Sequence, residues 1–295
     1  MRLYWMLFTA TAQSDSYQLY WEPVPVKSIL ACLKGSTLRY VAAIFTSPVK
    51  SLALNQPQSV AVGYSGIVED RRFHLVDAEG RLLTQRQHGK LVQVQSQYSA
   101  VAETLTLSFP GDQRVDGSTE LGDSVVTVIW GRRVSGREVN GPWNDALSNF
   151  CGSTVRLVKT DSSGESFDEY PVSILSQASL EYLGARVNDR MTFEGRRFRP
   201  TFLLEGCSPH EEDTWLGGVL KIGPDLRIKL VSPDPRCAIT TLDPDTGERD
   251  FDVPKLVLSY RPSSRAAYFG VYGAVESAGT VSLGDEVDLV RDLVC

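Results

Sequence analysis

Short apolar stretches, most of them alternating with polar residues, run through most of this chain. Leu38 to Phe45 reads as a strand that ends at Ser47-Pro48, where the proline has no N–H to give to a ladder. Phe73–Asp77 and Arg81–Gln85 flank Ala78-Glu79-Gly80, which predicts a compact hairpin. Leu91–Gln95 alternates with period two, as does Thr104–Phe109 ahead of Pro110-Gly111, and Ser124–Trp130 follows as another strand. Two stretches change period. Trp143, Leu147 and Phe150 fall at i, i+4 and i+7, with Pro142 in the first turn and Gly152 as a stop, which predicts a short helix. Ser176 is placed to cap a second helix over Ser176–Leu183. Strands are expected again at 198–204, 217–222, 226–231, 236–242 and 279–290. Many short strands between Gly and Pro turns, with few helices, predict a mostly β, barrel-like architecture.

The chain has 295 residues, enough for one large or two medium domains. The expected division is an N-terminal extension at 1–37, a β-barrel module at 38–122 and a second domain at 123–295, the boundary resting on the turn signals Gly111-Asp112-Gln113 and Asp116-Gly117-Ser118. A net charge of -6 gives no basic face for nucleic acid, though it leaves room for a local pocket for one small anion. Residues 3–8 are apolar and Ala10-Thr11-Ala12 resembles a cleavage site, but the run is shorter than a usual signal peptide. No stretch reaches the roughly 18 apolar residues of a transmembrane segment. Five widely spaced cysteines without a CxxC pattern fit a reducing compartment, so a cytoplasmic protein is expected. His74, His88 and His210 are too scattered to suggest a metal cluster or a hydrolase triad.

Arg236-Cys237 opens the run that ends at Pro244-Asp245-Thr246-Gly247, a turn signal. A guanidinium beside a thiol favours the thiolate, so Cys237 is a candidate soft-metal ligand or nucleophile, and a small buried hydrophobe otherwise. Pro48-Val49-Lys50-Ser51 places a cation and a hydroxyl after a strand, which suits a phosphate or simply a solvated turn. Asp70-Arg71-Arg72-Phe73 and Thr84-Gln85-Arg86-Gln87 add arginines that serve an anion or surface ion pairs. Arg197-Phe198-Arg199-Pro200 is basic inside an apolar stretch, and Asp168-Glu169-Tyr170-Pro171 precedes the second helix, where carboxylates complement its dipole.

Taken in order, these segments resemble the MOSC family of molybdenum-cofactor-binding domains, nearest by pattern to its single-chain amidoxime-reducing enzymes. Further pieces are Leu175–Leu180, Glu212-Asp213-Thr214-Trp215, Tyr268–Tyr272 and Gly284–Val287. The resemblance implies a MOSC N-terminal β-barrel module followed by a MOSC β-barrel domain. It implies that Cys237 is the protein's thiolate on molybdenum, the molybdopterin supplying two further sulfurs. Lys50, Ser51, Arg71 and Arg199 match positions that hold the pterin and its phosphate. Arg236 and Pro235 match the segment leading into the ligand, and Asp168, Tyr170 and Tyr272 match positions lining the cavity. Asp168 and Tyr272 are candidates for proton or orientation roles. Three departures touch the pocket: Thr201 stands where Asn is common, Tyr170 where a small hydroxyl residue is common, and Pro235 removes a backbone N–H.

The implied function is reduction of small N-hydroxylated compounds. The chain carries no four-cysteine ferredoxin cluster and no nucleotide-binding glycine motif, so electrons are expected from a separate reductase or an iron–sulfur or haem protein. The alternatives are a carrier of the cofactor or of cysteine-borne sulfur without turnover of its own, and a β-barrel interaction protein that has lost the cofactor.

Overall fold

A computed structural model describes residues 38–187 and 191–290. The expected extension at 1–37, with its signal-like run, lies outside the described residues, as do Cys32 and Cys295. In chain order come β1 (Tyr40–Ile44), β2 (Ser59–Gly63), β3 (Gly66–Ile67), β4 (Phe73–Val76), β5 (Leu82–Leu83) and β6 (Gln95–Ser99). There follow β7 (Thr104–Ser108), β8 (Arg114–Ser118), β9 (Glu120–Ile129), β10 (Arg132–Asn140), α1 (Trp143–Cys151) and β11 (Arg156–Thr160). The remainder is β12 (Val172–Ser176), α2 (Gln177–Ala185), α3 (Gly195–Phe198), β13 (Phe202–Glu205), β14 (Val219–Ile222) and β15 (Leu226–Arg236). It ends with α4 (Val253–Tyr260), β16 (Ala267–Ser277), β17 (Gly279–Ser282) and β18 (Val287–Val290).

The largest sheet has the order β1-β13-β12-β16-β15-β14-β18. A bridge between Tyr40 and Glu286, with the Val287 amide donating to the Arg39 carbonyl at 2.9 Å, brings its two ends together and nearly closes a barrel. Ile44, Ile174, Phe202, Leu220, Ile228 and Val271 are fully buried in this core. A second core forms where the sheet β5-β4-β11-β10-β9 and the meander β6-β7-β8 cover Phe73, Leu75, Leu91, Leu105 and Leu107. The α1 residues Trp143 and Leu147 bury there completely, the face their spacing predicts. The division expected at residue 122 falls inside β9, and strands from both sides of it pair in one sheet. Among the described residues no helix is long and apolar enough to cross a membrane.

The expected hairpin is present, with Leu75 opposite Leu83. The strand expected at 279–290 divides into β17 and β18, which join different sheets, and three other expected strands take another form. Residues 89–93 form a 3-10 helix, because Leu91 and Val94, both fully buried, point inward at a spacing of three rather than two. Residues 195–198 form the single helical turn α3, and the strand starts only at Phe202, after Arg199 turns left-handed at φ 52° before Pro200. Residues 236–242 are a strand end followed by a 3-10 turn (Ala238–Thr241). There the Thr240 and Thr241 hydroxyls donate back to the carbonyls of Cys237 (2.9 Å) and Ala238 (2.6 Å), the local bonding by which Thr competes with a strand ladder.

Candidate functional site

The barrel module supplies the cationic wall of a single cleft. After β1 the chain turns at Pro48, and the Lys50 amide donates to the Phe73 carbonyl at 2.7 Å, which fixes Lys50 beside β4. Ser51 is left-handed at φ 73°, and its carbonyl accepts from the Gln85 side chain at 2.8 Å. Arg71 is left-handed too, at φ 52°; its amide donates to the Ser47 carbonyl at 2.8 Å and its guanidinium pairs with Asp70. Asp70 in turn accepts from the Ser47 amide at 2.6 Å. The pieces Pro48–Ser51, Asp70–Arg71 and Thr84–Gln85 thus interlock, although each is unremarkable alone.

The second domain supplies the opposite wall. Cys237 is half-buried directly after β15 and caps the 3-10 turn. The register of β15 against β16 shifts between Pro233 and Pro235, a bulge at prolines that cannot donate to the ladder. Arg236 anchors this end. Its Nε donates to the Phe269 carbonyl at 2.6 Å, its Nη1 to the Phe198 carbonyl at 2.8 Å, and its Nη2 lies 2.9 Å from Asp234 Oδ2. A Cβ on Gly270 would lie 3.0 Å from that guanidinium and 2.7 Å from the Ile174 carbonyl, and φ is +85°, so glycine is required for Arg236 to lie here. Beneath the turn, Arg197 grips Asp250 bidentately at 2.7 and 2.6 Å and donates to the Leu242 carbonyl at 2.9 Å, pinning the segment after Cys237.

All eleven residues singled out from the sequence line this one cleft, whose empty space including its open mouth is about 800 Å³: Lys50, Ser51, Arg71, Asp168, Tyr170, Arg199, Thr201, Pro235, Arg236, Cys237 and Tyr272. Their roles divide. Thr201 is buried, its hydroxyl oxygen accepting from the Ser173 amide at 3.0 Å, so it serves the β12–β13 junction. Arg236 donates from Nε and Nη1 to protein carbonyls, while its Nη2 makes an ion pair with Asp234 but no hydrogen bond. Tyr170 and Tyr272 face each other with ring centroids 5.9 Å apart. Asp168 stands at the mouth, with 54% of its side chain exposed, and accepts from Lys50 Nζ at 2.7 Å and from Trp130 Nε1 at 2.8 Å.

Charge is unevenly matched in the cleft. Arg199 is left-handed at φ 52°, its only side-chain hydrogen bond among the described residues goes from Nη2 to the Leu52 carbonyl at 2.9 Å, and no carboxylate there lies within ion-pair distance. Burial, and then Arg71, push its pKa down to about 10. Burial likewise lowers Lys50, against the pull of Asp168, with Arg71 and Arg199 adding to the fall. Burial opposes ionisation of Asp168, but Lys50, Arg71 and the Trp130 N–H outweigh it and hold the carboxyl well below its ordinary range. A cavity holding more buried cations than carboxylates suits an anion, and a thiol at its edge suits a soft metal. Among the described residues no three His, Cys, Asp or Glu side chains converge on a metal site, so a metal here would take most of its ligands from a bound group.

Sequence reasoning missed Asp234, Ser173 and Trp130. Asp234 is 2% exposed and accepts from Ser173 Oγ at 2.9 Å. Burial lifts its pKa to about 6, against Arg236, Ser173 and Tyr272. Burial and that carboxylate push Tyr272 far above the usual phenol value. The only sequence signal was an aspartate held between two prolines, Pro233-Asp234-Pro235. Four non-glycine residues with φ between 49° and 73°, Ser51, Arg71, Trp130 and Arg199, line the cleft, the concentration of left-handed backbone found where a site is built.

The family model of the MOSC N-terminal beta barrel domain matches residues 38–155, and that of the MOSC domain matches residues 152–288. Mitochondrial amidoxime reducing component 2 of Bos taurus is 32% identical over 282 residues, covering 84% of this chain and 82% of that protein. Mitochondrial amidoxime-reducing component 1 of Homo sapiens is 30% identical over 283 residues, covering 85% and 82%. Among solved structures, the YUAD protein from Bacillus subtilis is 12% identical with a TM-score of 0.40, covering 85% of this chain and 94% of that one.

Proposed function

The chain belongs to the MOSC family, N-terminal beta barrel domain and MOSC domain together, and from that premise we propose a molybdenum-cofactor-binding oxidoreductase. It reduces small N-hydroxylated compounds, such as amidoximes, with electrons from a separate donor protein. The observation that carries this reading is that Cys237 shares one cleft with Lys50, Arg71 and Arg199, a thiol opposite a surplus of buried cations. That donor set fits a molybdopterin: Lys50, Ser51, Arg71 and Arg199 would hold its phosphate and pterin, and Cys237 would bind the metal. The relatives named as amidoxime reducing components support the substrate class. The cofactor, when bound, supplies the two-electron redox chemistry and the site of oxygen-atom transfer.

Reduction of an N–OH group takes two electrons and two protons and releases water. The chain's part is to place those protons and keep the charges in order. Asp234 and Tyr272 stand together in the cleft lining, a carboxyl that burial lifts to about 6 beside a phenol that keeps its proton, so the Tyr272 hydroxyl can orient or hydrogen-bond a group bound in the cleft. Asp168 stays ionised and orients Lys50. Arg236 holds both Asp234 and the backbone that presents Cys237. We propose the cytoplasm as the compartment, a reducing one in which a metal-binding thiol stays reduced.

The test is reduction of benzamidoxime by protein reconstituted with molybdopterin and a chemical electron donor. Turnover supports the reading. Tight cofactor retention without turnover would select a carrier instead.

A further inference from the structure

The edge strand β9 and its partner β10 carry a surface unlike the rest of the molecule. β9 ends the sheet order β5-β4-β11-β10-β9; no strand hydrogen-bonds to its outer edge among the described residues, although β5 from the other end of the sheet lies against it. Long free edges are usually shielded by charges or bulges on the strand itself. Here the outward side chains nearest the cleft are apolar: Val126 is 47% exposed, Val128 59% and Trp130 47%. The strand's carboxylates, Glu120 and Asp123, lie at its far end.

Cations flank this apolar strip. On β10, Arg133 stands opposite Val128 and Arg137 opposite Ser124. Arg132 donates to the carbonyls of Phe167 and of Asp168, the latter at 2.9 Å, and Arg86 stacks on the Trp130 ring at 4.1 Å. Arg137 donates to the Gly122 carbonyl at 2.9 Å. Among the described residues none of these four arginines has a carboxylate within ion-pair distance, while twelve other cationic side chains do. In a chain of net charge -6, four unmatched arginines around exposed valines and an indole form a local positive field with an apolar centre. That is the anatomy of a protein-binding patch: apolar centre, charged rim. The patch is continuous with the cleft, because Trp130 lines the cleft and its indole N–H bonds Asp168 at 2.8 Å.

We infer that the β9–β10 edge is the docking face for an acidic electron-carrier protein, which delivers single electrons at the cleft mouth beside Trp130. This rests on the reductase reading above, in which each turnover needs two electrons from outside the chain. The partner is recognised by negative charge around a small apolar contact, and Arg133 and Arg137 steer it.

The test uses full-length holoprotein and two probes, an acidic [2Fe–2S] ferredoxin and an acidic b-type cytochrome. Binding is measured against ionic strength for the wild type, for Arg133→Glu/Arg137→Glu and, in case that pair disturbs the hairpin, for Val128→Asp. Salt-sensitive binding of either carrier that weakens by ~10-fold or more in both variants is expected, since charge reversal at a rim acts on association. Dye-driven benzamidoxime reduction with methyl viologen is expected to stay at the wild-type level. Unchanged carrier binding in the variants, no binding of either carrier to the wild type, or preferential binding to anionic phospholipid vesicles would overturn the inference. Arginine-dependent carrier binding with no dye-driven turnover would leave the docking face standing and remove the reductase reading.

Discussion

Asp234 and Arg236 form a buried ion pair, Oδ2 to Nη2 at 2.9 Å, on the last residues of the strand that presents Cys237. Their side chains are 2% and 6% exposed, so neither charge has water to fall back on. Removing one partner of such a pair costs about 3–5 kcal/mol, because the other charge is left buried. Arg236→Met should therefore destabilise strongly at pH 8 and less at pH 5, where Asp234 can protonate. Thermal denaturation of the variant at the two pH values checks this; an equal loss at both would show that Asp234 does not titrate in the folded protein.

Two of the groups that shape the pH dependence oppose each other. Burial raises Asp234 from 3.8 to about 6, so the folded state holds a proton there that the unfolded state has released. Its contribution to stability is full below pH 3.8 and is lost as pH rises through 6. His74 is fully buried, with Nε2 2.8 Å from Thr127 Oγ1, and burial lowers it from 6.5 to about 4. Its contribution is full above 6.5 and is lost as pH falls toward 4, by about 3 kcal/mol at most. Chemical denaturation from pH 4 to 7 should show Asp234→Asn removing the first slope and His74→Phe/Thr127→Val removing the second. Variants that leave the profile unchanged would refute the assignments.

Arg199 is a cation turned into the cleft lining without a carboxylate at ion-pair distance among the described residues. Desolvation without a carboxylate partner makes it a liability in the cofactor-free protein. Arg199→Met is expected to raise the melting temperature of apoprotein by a few degrees, about 2–4 °C per kcal/mol gained. The same variant should lose cofactor on gel filtration. A lower melting temperature in the apo variant would mean that the Leu52 contact matters more than the buried charge.

Gly247 packs against Gly89. Its φ is +74°, and a Cβ there would lie 2.1 Å from the Gly89 carbonyl oxygen, while one on Gly89 would lie 2.0 Å from the Gly247 carbonyl oxygen. The Pro244–Gly247 turn thus rests backbone to backbone on the 3-10 helix at 89–93. Gly247→Ala is expected to destabilise by about 1–3 kcal/mol from the left-handed backbone alone, and by more through the clash. Denaturant titration of that variant reads the effect, and wild-type stability would show that the turn shifts freely.

The gathering of the candidate residues in one cleft was more legible in the sequence than the strands around it. Lys50, Arg71, Arg199 and Cys237 each sit in a compact motif that is ambiguous alone and that the ordered set picks out, whatever the backbone beneath it does. Thr240 and Thr241 read as strand residues because β-branched side chains favour strands, yet their hydroxyls bond the carbonyls of Cys237 and Ala238 and curl the chain instead. Leu91 and Val94 gave an alternating signal over five residues, too short to separate period two from period three. Helix α4 was missed although Asp252 caps it and Pro254 opens it, since Phe251 to Tyr260 offers only two fully buried positions, Val253 and Val257. Asp234 and Trp130 act through partners 61 and 38 residues away in sequence, Ser173 and Asp168, and no local pattern reports such contacts.

Molybdenum content per chain is the most direct measurement. Protein purified from cells that make molybdopterin should carry one molybdenum per chain, and folded Cys237→Ala should carry none while Cys151→Ala, altering a cysteine outside the cleft, keeps it. A wild type without molybdenum, or a Cys237→Ala protein that retains it in full, would contradict the assignment of that thiol to the metal.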